Sequence, residues 1–441
     1  MPDNTSLYPE GGASASTRKF VVFNPGSHPA PRWIARALAV DGSLVRYWTS
    51  GQMLTSEAKN GFYRLLPGFV RRELQGRLLP EELDSNNVGR AGIALDIAAA
   101  IAKRLRRPNL ERRLLHARNR VLARKAVRSA AAVRGGSVWL LLPTNTHSDI
   151  ATLCDQKGIP YALYTPLPYA PYCDALMDDE ALENPAWSRH LHFVSDDPLA
   201  GDRNAATEAA GARLVIANSK FTADSFATIV PRDRVVAVPL AVNVDQFRRA
   251  ALLGRARGSL RETDEPLSIV YTGHISQRKG LFYLFSAVAE ASNHGNFTIT
   301  LFGSDTTGMQ DQLRKTFPDV SATFVPSLPQ RDLWERMSEH HVFAFPTLLD
   351  GFGNALIEAA ALGLPIVATP RCGAVDLGLS PEAAIIVNAG SATDLTKALV
   401  DLYAGETSRR LMSTRSAEIV AAGRTWSDYG SDVVEIMKAA R

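Results

Sequence analysis

The chain has 441 residues, 46% hydrophobic and 21% charged; this balance excludes global disorder, and at this length it predicts two domains. Cys154, Cys173 and Cys372 stand far apart, with no CxxC and no His/Cys cluster, which argues against a disulfide scaffold or a structural zinc site and fits a reducing cytoplasm. The net charge of +4 hides an asymmetry: Lys103 to Arg128 holds eleven Lys or Arg against one acid, Glu111, so this stretch carries +10 and the rest −6.

In chain order, residues 1–17 lack an apolar core and read as a mobile tail rather than a signal peptide. KFVVFNPG predicts a buried strand over Phe20–Phe23 that runs into a turn at Gly26. RWIARALAVDG predicts a short helix and LVRYWTS the next strand. A long helical, basic region follows from about Ser56 to Arg134. Its longest apolar run, Ala91–Ala102, is too short to span a bilayer and carries Asp96. Strands return at Val138–Pro143, Tyr161–Pro166 and Arg213–Ser219, with helices between them. The polar segment from about Arg248 to Pro266 reads as a linker.

Beyond it, apolar strands and helices alternate strictly: SIVYTG, LFYLFSAVAEA, FTITLFG, MQDQLRKTF, ATFVP, RDLWERMSEH, HVFAFP, NALIEAAAL and PIVAT. Such alternation implies a parallel sheet covered on both faces, with ligands bound beyond the carboxyl ends of the strands. A final amphipathic helix closes the sequence.

Two loops at that edge carry chemistry. In DGFGNALIEAAALGLP, Asn354 suits an N-cap, the helix runs to Leu362, Gly363 caps it and Pro365 stops it. Gly351 and Gly353 let the backbone approach a ligand, and the helix start offers free N–H groups to an anion or a hydroxyl-rich molecule. Asp350 stands at the loop mouth and Glu358 one turn inside the helix, so one carboxylate can take hexose hydroxyls and the other a ribose diol. In TGHISQRKG, Gly273 opens a turn in which Arg278 and Lys279 suit a diphosphate. Taken singly, the acids read more simply as surface residues beside a capped helix, and the cations as a solvated loop. Together, on one sheet edge, they can converge on one ligand.

These motifs give the chain a resemblance to glycosyltransferase family 4, the retaining group with the GT-B fold. DGFGNALIEAAALGLPIVAT resembles that family's two-acid segment, TGHISQRKG its glycine, arginine and KG loop, and VPLAVNVDQF (Val238–Phe247) the segment that closes its first domain. The resemblance implies two Rossmann-like domains facing a cleft, a UDP- or GDP-sugar donor, retention of configuration, and neither metal nor cofactor. It implies that Lys279 and Arg278 neutralise the diphosphate and that Asp350, the catalytic candidate, binds the sugar with Gly351, Phe352, Gly353 and Asn354. Glu358 would then bind the ribose, and the last helix would cross back onto the first domain. The implied boundaries are a tail at 1–17, an acceptor-side domain at 18–247, a donor domain at 248–424 and a crossing helix at 425–441. His274 stands where the family commonly has an arginine, and Thr165 and Pro166 stand where many members have a histidine.

On the acceptor side, Gly26 would line the cleft, and His147 in PTNTHSD is a stand-in for the missing histidine, although a loop histidine with a local partner explains it as well. The Lys103–Arg128 stretch carries an apolar stripe, Leu110, Leu114, Ala117 and Val121. It reads either as a helix packed on the first domain with a solvated basic face, or as a peripheral contact with an anionic membrane. No motif supports nucleic-acid binding. The expected protein is a cytoplasmic hexosyltransferase acting on a glycan or lipid-linked acceptor. A non-catalytic sugar-nucleotide-binding protein and a GT-B epimerase stay open as alternatives.

Overall fold

The computed structural model describes residues 18–26, 28–58, 78–134, 138–144, 149–191, 202–241, 265–379 and 381–440. The expected tail, His147 and most of the expected linker lie outside them.

The first half comprises β1 (Lys19–Asn24), α1 (Pro29–Val40), β2 (Leu44–Thr49), α2 (Thr55–Ala58), β3 (Val88–Arg90), α3 (Ile93–Arg104), α4 (Pro108–Ala131), β4 (Val138–Pro143), α5 (Ile150–Lys157), β5 (Tyr161–Thr165), α6 (Ala170–Glu183), α7 (Asp202–Gly211), β6 (Leu214–Ala217), α8 (Lys220–Phe226) and β7 (Val235–Ala237). A 3-10 turn, Pro185–His190, follows α6. Among the described residues the strands form a parallel sheet in the order β3-β2-β1-β4-β5-β6-β7.

The second half comprises β8 (Leu267–Thr272), α9 (Leu281–Ala291), β9 (Phe297–Phe302), α10 (Met309–Thr316), β10 (Ala322–Val325), α11 (Gln330–Met337), β11 (Val342–Phe345), α12 (Asn354–Ala361), β12 (Ile366–Ala368), β13 (Ala384–Ile386), α13 (Ala392–Ala404), α14 (Glu406–Ala421) and α15 (Trp426–Ala439). Its sheet is parallel in the order β10-β9-β8-β11-β12-β13. Two doubly wound sheets are the architecture that the strand and helix alternation implies.

The central strands form because their side chains are buried on both faces. Along β1 and β4, Phe20, Val22 and Leu141 join one core, while Val21, Phe23, Leu140 and Leu142 join another beneath α4, as alternation along a strand requires. The first of these cores continues without a break into the second sheet. Trp187, in the turn after α6, helps to carry it there: its ring lies 5.1 Å from Phe282. Residues of α6 and this turn, placed between β5 and β6 by sequence, therefore pack on helices of the second half.

α15 lies along α1, with Gly430 so close to the Trp33 carbonyl that a Cβ there would come within 2.4 Å of it. Arg18 donates to the carbonyls of Met437 (2.8 Å) and Ala440 (2.7 Å), securing the end of that helix.

Three strands went unread in the sequence. β3, β7 and β13 have three residues each, too few to show a periodicity of their own. The basic region is accordingly not one helical stretch; β3 and the α3–α4 turn divide it. The Asn354 cap is also corrected. Gly353 is the cap residue of α12, at φ +86, and Asn354 is the exposed first residue of the helix. A Cβ on residue 353 would come within 2.8 Å of the Phe345 ring, so glycine is needed there for space as well as for conformation. At the other end Gly363 does adopt a left-handed conformation (φ +70), and its N–H and that of Leu364 bond back to Ala360 and Ala359.

Candidate nucleotide-sugar site

Strand order reverses at β8 and β11, which lie side by side while their next strands run to opposite sides. The loops after these two strands therefore flank the crevice where such sheets bind ligands. They are residues 273–280 and 346–353.

The two loops are tied together tightly. Leu348 donates its N–H to the Arg278 carbonyl at 2.9 Å, and the Arg278 guanidinium reaches the Leu349 carbonyl at 3.4 Å. Gly280 adopts φ +69, and a Cβ on it would lie 1.9 Å from the Pro346 carbonyl oxygen, so no other residue fits. Gly273 opens the first loop at φ +143, with its N–H bonded to Phe302.

Within this frame Lys279 Nζ forms an ion pair with Asp350 Oδ2. Lys279 is only 7% exposed, and its ammonium also lies 5.3 Å from the centre of the Phe345 ring. Burial pushes the Asp350 carboxyl up, but the charges of Lys279 and Arg278 outweigh it and hold the group below the usual carboxylate range. Burial dominates at Lys279 and lowers its pKa, with Asp350 opposing and Arg278 adding to the fall. The result is a desolvated pair with a second cation beside it. An incoming diphosphate can take the cations while the released carboxylate takes hydroxyls.

Arg278, Lys279, Asp350 and Gly351 are thus brought together. Phe352 is buried, with its carbonyl accepting from Gly373 and its ring filling the space a Cβ on Gly373 would need. Glu358 is not part of the pair. Its Oε1 accepts from Gln330 Nε2 at 2.9 Å, Trp334 lies beside it, and burial raises its pKa. His274 offers its carbonyl to Tyr271 Oη at 2.7 Å. Gly26 lies in an exposed bend after β1, its carbonyl accepting from Gln52.

The first half grips this site through residues that sequence reasoning passed over. The Gly351 carbonyl accepts from Ser219 Oγ (2.5 Å) and Thr222 Oγ1 (3.1 Å). A Cβ on Gly351 would stand 2.0 Å from the Pro166 carbonyl, which also accepts from Asn218 Nδ2 at 2.8 Å. Asp376 accepts the Lys220 N–H at 2.7 Å. Deeper in the first half, His28 caps α1 and meets Tyr164 Oη at 3.2 Å; burial and Arg32 lower its pKa to about 4. Ser219, read from the sequence as the end of a strand, caps α8 and reaches across to Gly351.

Further from the cleft, buried Glu180 on α6 accepts from Gln277 Nε2 (2.7 Å), Tyr283 Oη (2.8 Å) and Asn184 Nδ2 (3.1 Å). Gln277 directly precedes the two cations, so this carboxyl anchors their turn to the first half. Burial raises its pKa. Among the described residues no group of three His, Cys, Asp or Glu is placed to hold a metal ion.

Comparison with known proteins places the second half in a family and the whole chain in a fold. Residues 266–405 match the family described as Glycosyl transferases group 1. Over 143 residues the chain is 29% identical to the capsular polysaccharide biosynthesis glycosyltransferase CapM of Staphylococcus aureus, covering 32% of this chain and 38% of that one. Over 241 residues it is 26% identical to the D-inositol 3-phosphate glycosyltransferase of Pseudarthrobacter chlorophenolicus, covering 52% and 56%. The chain therefore spans well under two thirds of the length of these relatives. HepE of Anabaena, solved in complex with UDP, superposes over 96% of this chain and 100% of its own with a TM-score of 0.59 at 14% identity. The region from 266 to 405, which holds the Lys279–Asp350 pair, is a group 1 glycosyl transferase domain, and the chain that carries it has the GT-B fold.

Proposed function

We propose that the protein is a retaining glycosyltransferase that moves a hexose from a UDP-sugar to a hydroxyl of a glycan or lipid-linked acceptor. The observation that carries this reading is the buried Lys279–Asp350 pair at the switch point of the second sheet. UDP is favoured over GDP because HepE, similar in fold, was solved with UDP.

Lys279 and Arg278 neutralise the diphosphate and stabilise the charge that grows on it as it leaves. Asp350, freed from Lys279, takes donor-sugar hydroxyls together with the amides of Gly351–Asn354, and Glu358 takes the ribose diol. The bond from the anomeric carbon to the phosphate oxygen breaks, and the acceptor oxygen bonds to the same face of that carbon. The acceptor proton passes to the departing phosphate. Gly26 lies on the acceptor side of the cleft.

Thermal unfolding with UDP, UDP-sugars and GDP-sugars tests this, since a ligand that binds only the folded state raises its stability with concentration. UDP compounds should raise the midpoint and Lys279→Ala should abolish the rise. Slow release of UDP from a UDP-sugar, lost in Glu358→Ala, would separate an enzyme from a binding protein. No shift with any nucleotide would overturn the proposal.

A further inference from the structure

α3 is amphipathic the wrong way round for a helix that only packs on a protein. Its small residues Ala99 and Ala102 are buried, while Ile93, Ile97, Ile101 and, just beyond its end, Leu105 are exposed at 46%, 58%, 52% and 64%. Spaced four apart, these side chains form one apolar ridge on the side away from the buried alanines. No acid lies on the ridge, because Asp96, the one acid of α3, is turned to Arg118 and Ser50; exposed Arg104, three residues beyond Ile101, adds a cation at its end.

The surroundings of the ridge are cationic. Of the eleven Lys or Arg between residues 103 and 128, ten are exposed, Arg118 being the exception. α4 buries its other face, including Leu122, Ala126 and Ala130, against the first sheet, so the sequence reading of α4 as a packed helix with a basic face holds for its second half. Leu110 and Val121 of the stripe read from the sequence are exposed.

The turn between the helices adds an independent observation. Arg107 donates to Ala102 and Arg106 to Lys103, a Schellman closure whose left-handed position normally holds glycine. Here it holds Arg106 at φ +53. This strained position puts a charged side chain, next to exposed Leu105, at the tip of the hairpin.

We infer that the α3–α4 hairpin docks on an anionic phospholipid bilayer, with the Ile97–Ile101–Leu105 ridge entering the acyl boundary and the basic residues of the turn and α4 meeting lipid phosphates. Charge and apolarity together select this partner. A nucleic acid has use for the cations but none for the isoleucines. A second copy placed on the ridge would bring two +10 segments face to face. A bilayer surface accommodates both features. The inference reaches beyond the donor site and places the enzyme where a lipid-linked acceptor resides.

The test is sedimentation of the full chain with vesicles of phosphatidylcholine alone and of phosphatidylcholine mixed equally with phosphatidylglycerol. Binding should require phosphatidylglycerol, weaken with salt, and fall about tenfold or more in Ile97→Ser/Ile101→Ser. Those positions are exposed, so the variant should unfold at the wild-type temperature. Absence of binding at low salt, or wild-type binding by the variant, would overturn the inference. So would a dimer that the variant makes monomeric, or duplex DNA that binds and displaces the vesicles. The UDP-dependent thermal shift of the same preparation reads the donor site separately, so failure of one proposal leaves the other standing.

Discussion

Lys279 and Asp350, seventy-one residues apart in sequence, meet as a buried ion pair where the loops after β8 and β11 converge. Neither charge can be removed alone without leaving the other desolvated. Lys279→Met and Asp350→Leu should each destabilise the protein by about 3 kcal/mol or more, while the double variant should lose less than the sum of the two. Denaturant unfolding of all four proteins measures the coupling. Strict additivity would mean that the pair contributes nothing.

Gly351 and Gly280 should fail differently when given a Cβ. Gly280→Ala would strike the Pro346 carbonyl within its own domain and force a left-handed alanine, so global stability should fall by about 2 kcal/mol or more. Gly351 has no positive φ; its Cβ would strike Pro166 of the facing domain. Gly351→Ala should therefore open the cleft, raising the radius of gyration in solution scattering and the KM for donor, with a smaller loss of stability. Equal effects from both substitutions would count against a domain contact at Gly351.

Asp376 sets a pH dependence of definite sign. Burial raises its pKa to about 6, above the unfolded value near 3.9. Its contribution to stability is thus complete below about pH 4 and is lost as pH rises through 6, by about 3 kcal/mol in all. Asp350, held low, acts in the opposite direction and below this window. The unfolding free energy of Asp376→Asn relative to wild type should climb between pH 4 and pH 7. Parallel curves would show that Asp376 titrates normally.

Arg106 stands where glycine would be relaxed. Arg106→Gly should raise stability by up to about 1 kcal/mol while weakening binding to phosphatidylglycerol vesicles. A stabilised variant with unchanged binding would show that the position serves the turn alone.

What the sequence disclosed, and what it hid, follows from the range of the forces involved. The central strands were readable because burial on both faces demands continuous apolar runs such as VWLLLP. Gly363 was readable because a helix stop is a local matter of conformation. Asn354 misled because Gly353, with no side chain to cap anything, takes the cap position where the Phe345 ring leaves no space. The α3 ridge was not legible: the apolar run Ala91–Ala102 does not tell which side faces inward, and only the fold shows that Ala99 and Ala102 do so and the isoleucines do not. The grip of Ser219 and Thr222 on Gly351, and of Glu180 on Gln277, joins residues that no periodicity connects. His147, proposed as an acceptor-side residue, lies outside the described residues.

The packing of α15 on α1 bears on how the molecule comes into being. On the ribosome, α1 emerges long before α15, with Ala30, Ile34 and Leu38 ready for the core, yet the patch along Trp33 and Ala37 that receives Gly430 waits for a partner made only after both sheets. The domain that holds α1 is thus finished only after the second sheet has been made. Loss of residues 426–440 should damage the domain that holds α1 rather than the one those residues follow in sequence. Until they arrive, the nascent first domain carries an unsealed apolar surface, a natural target for a chaperone.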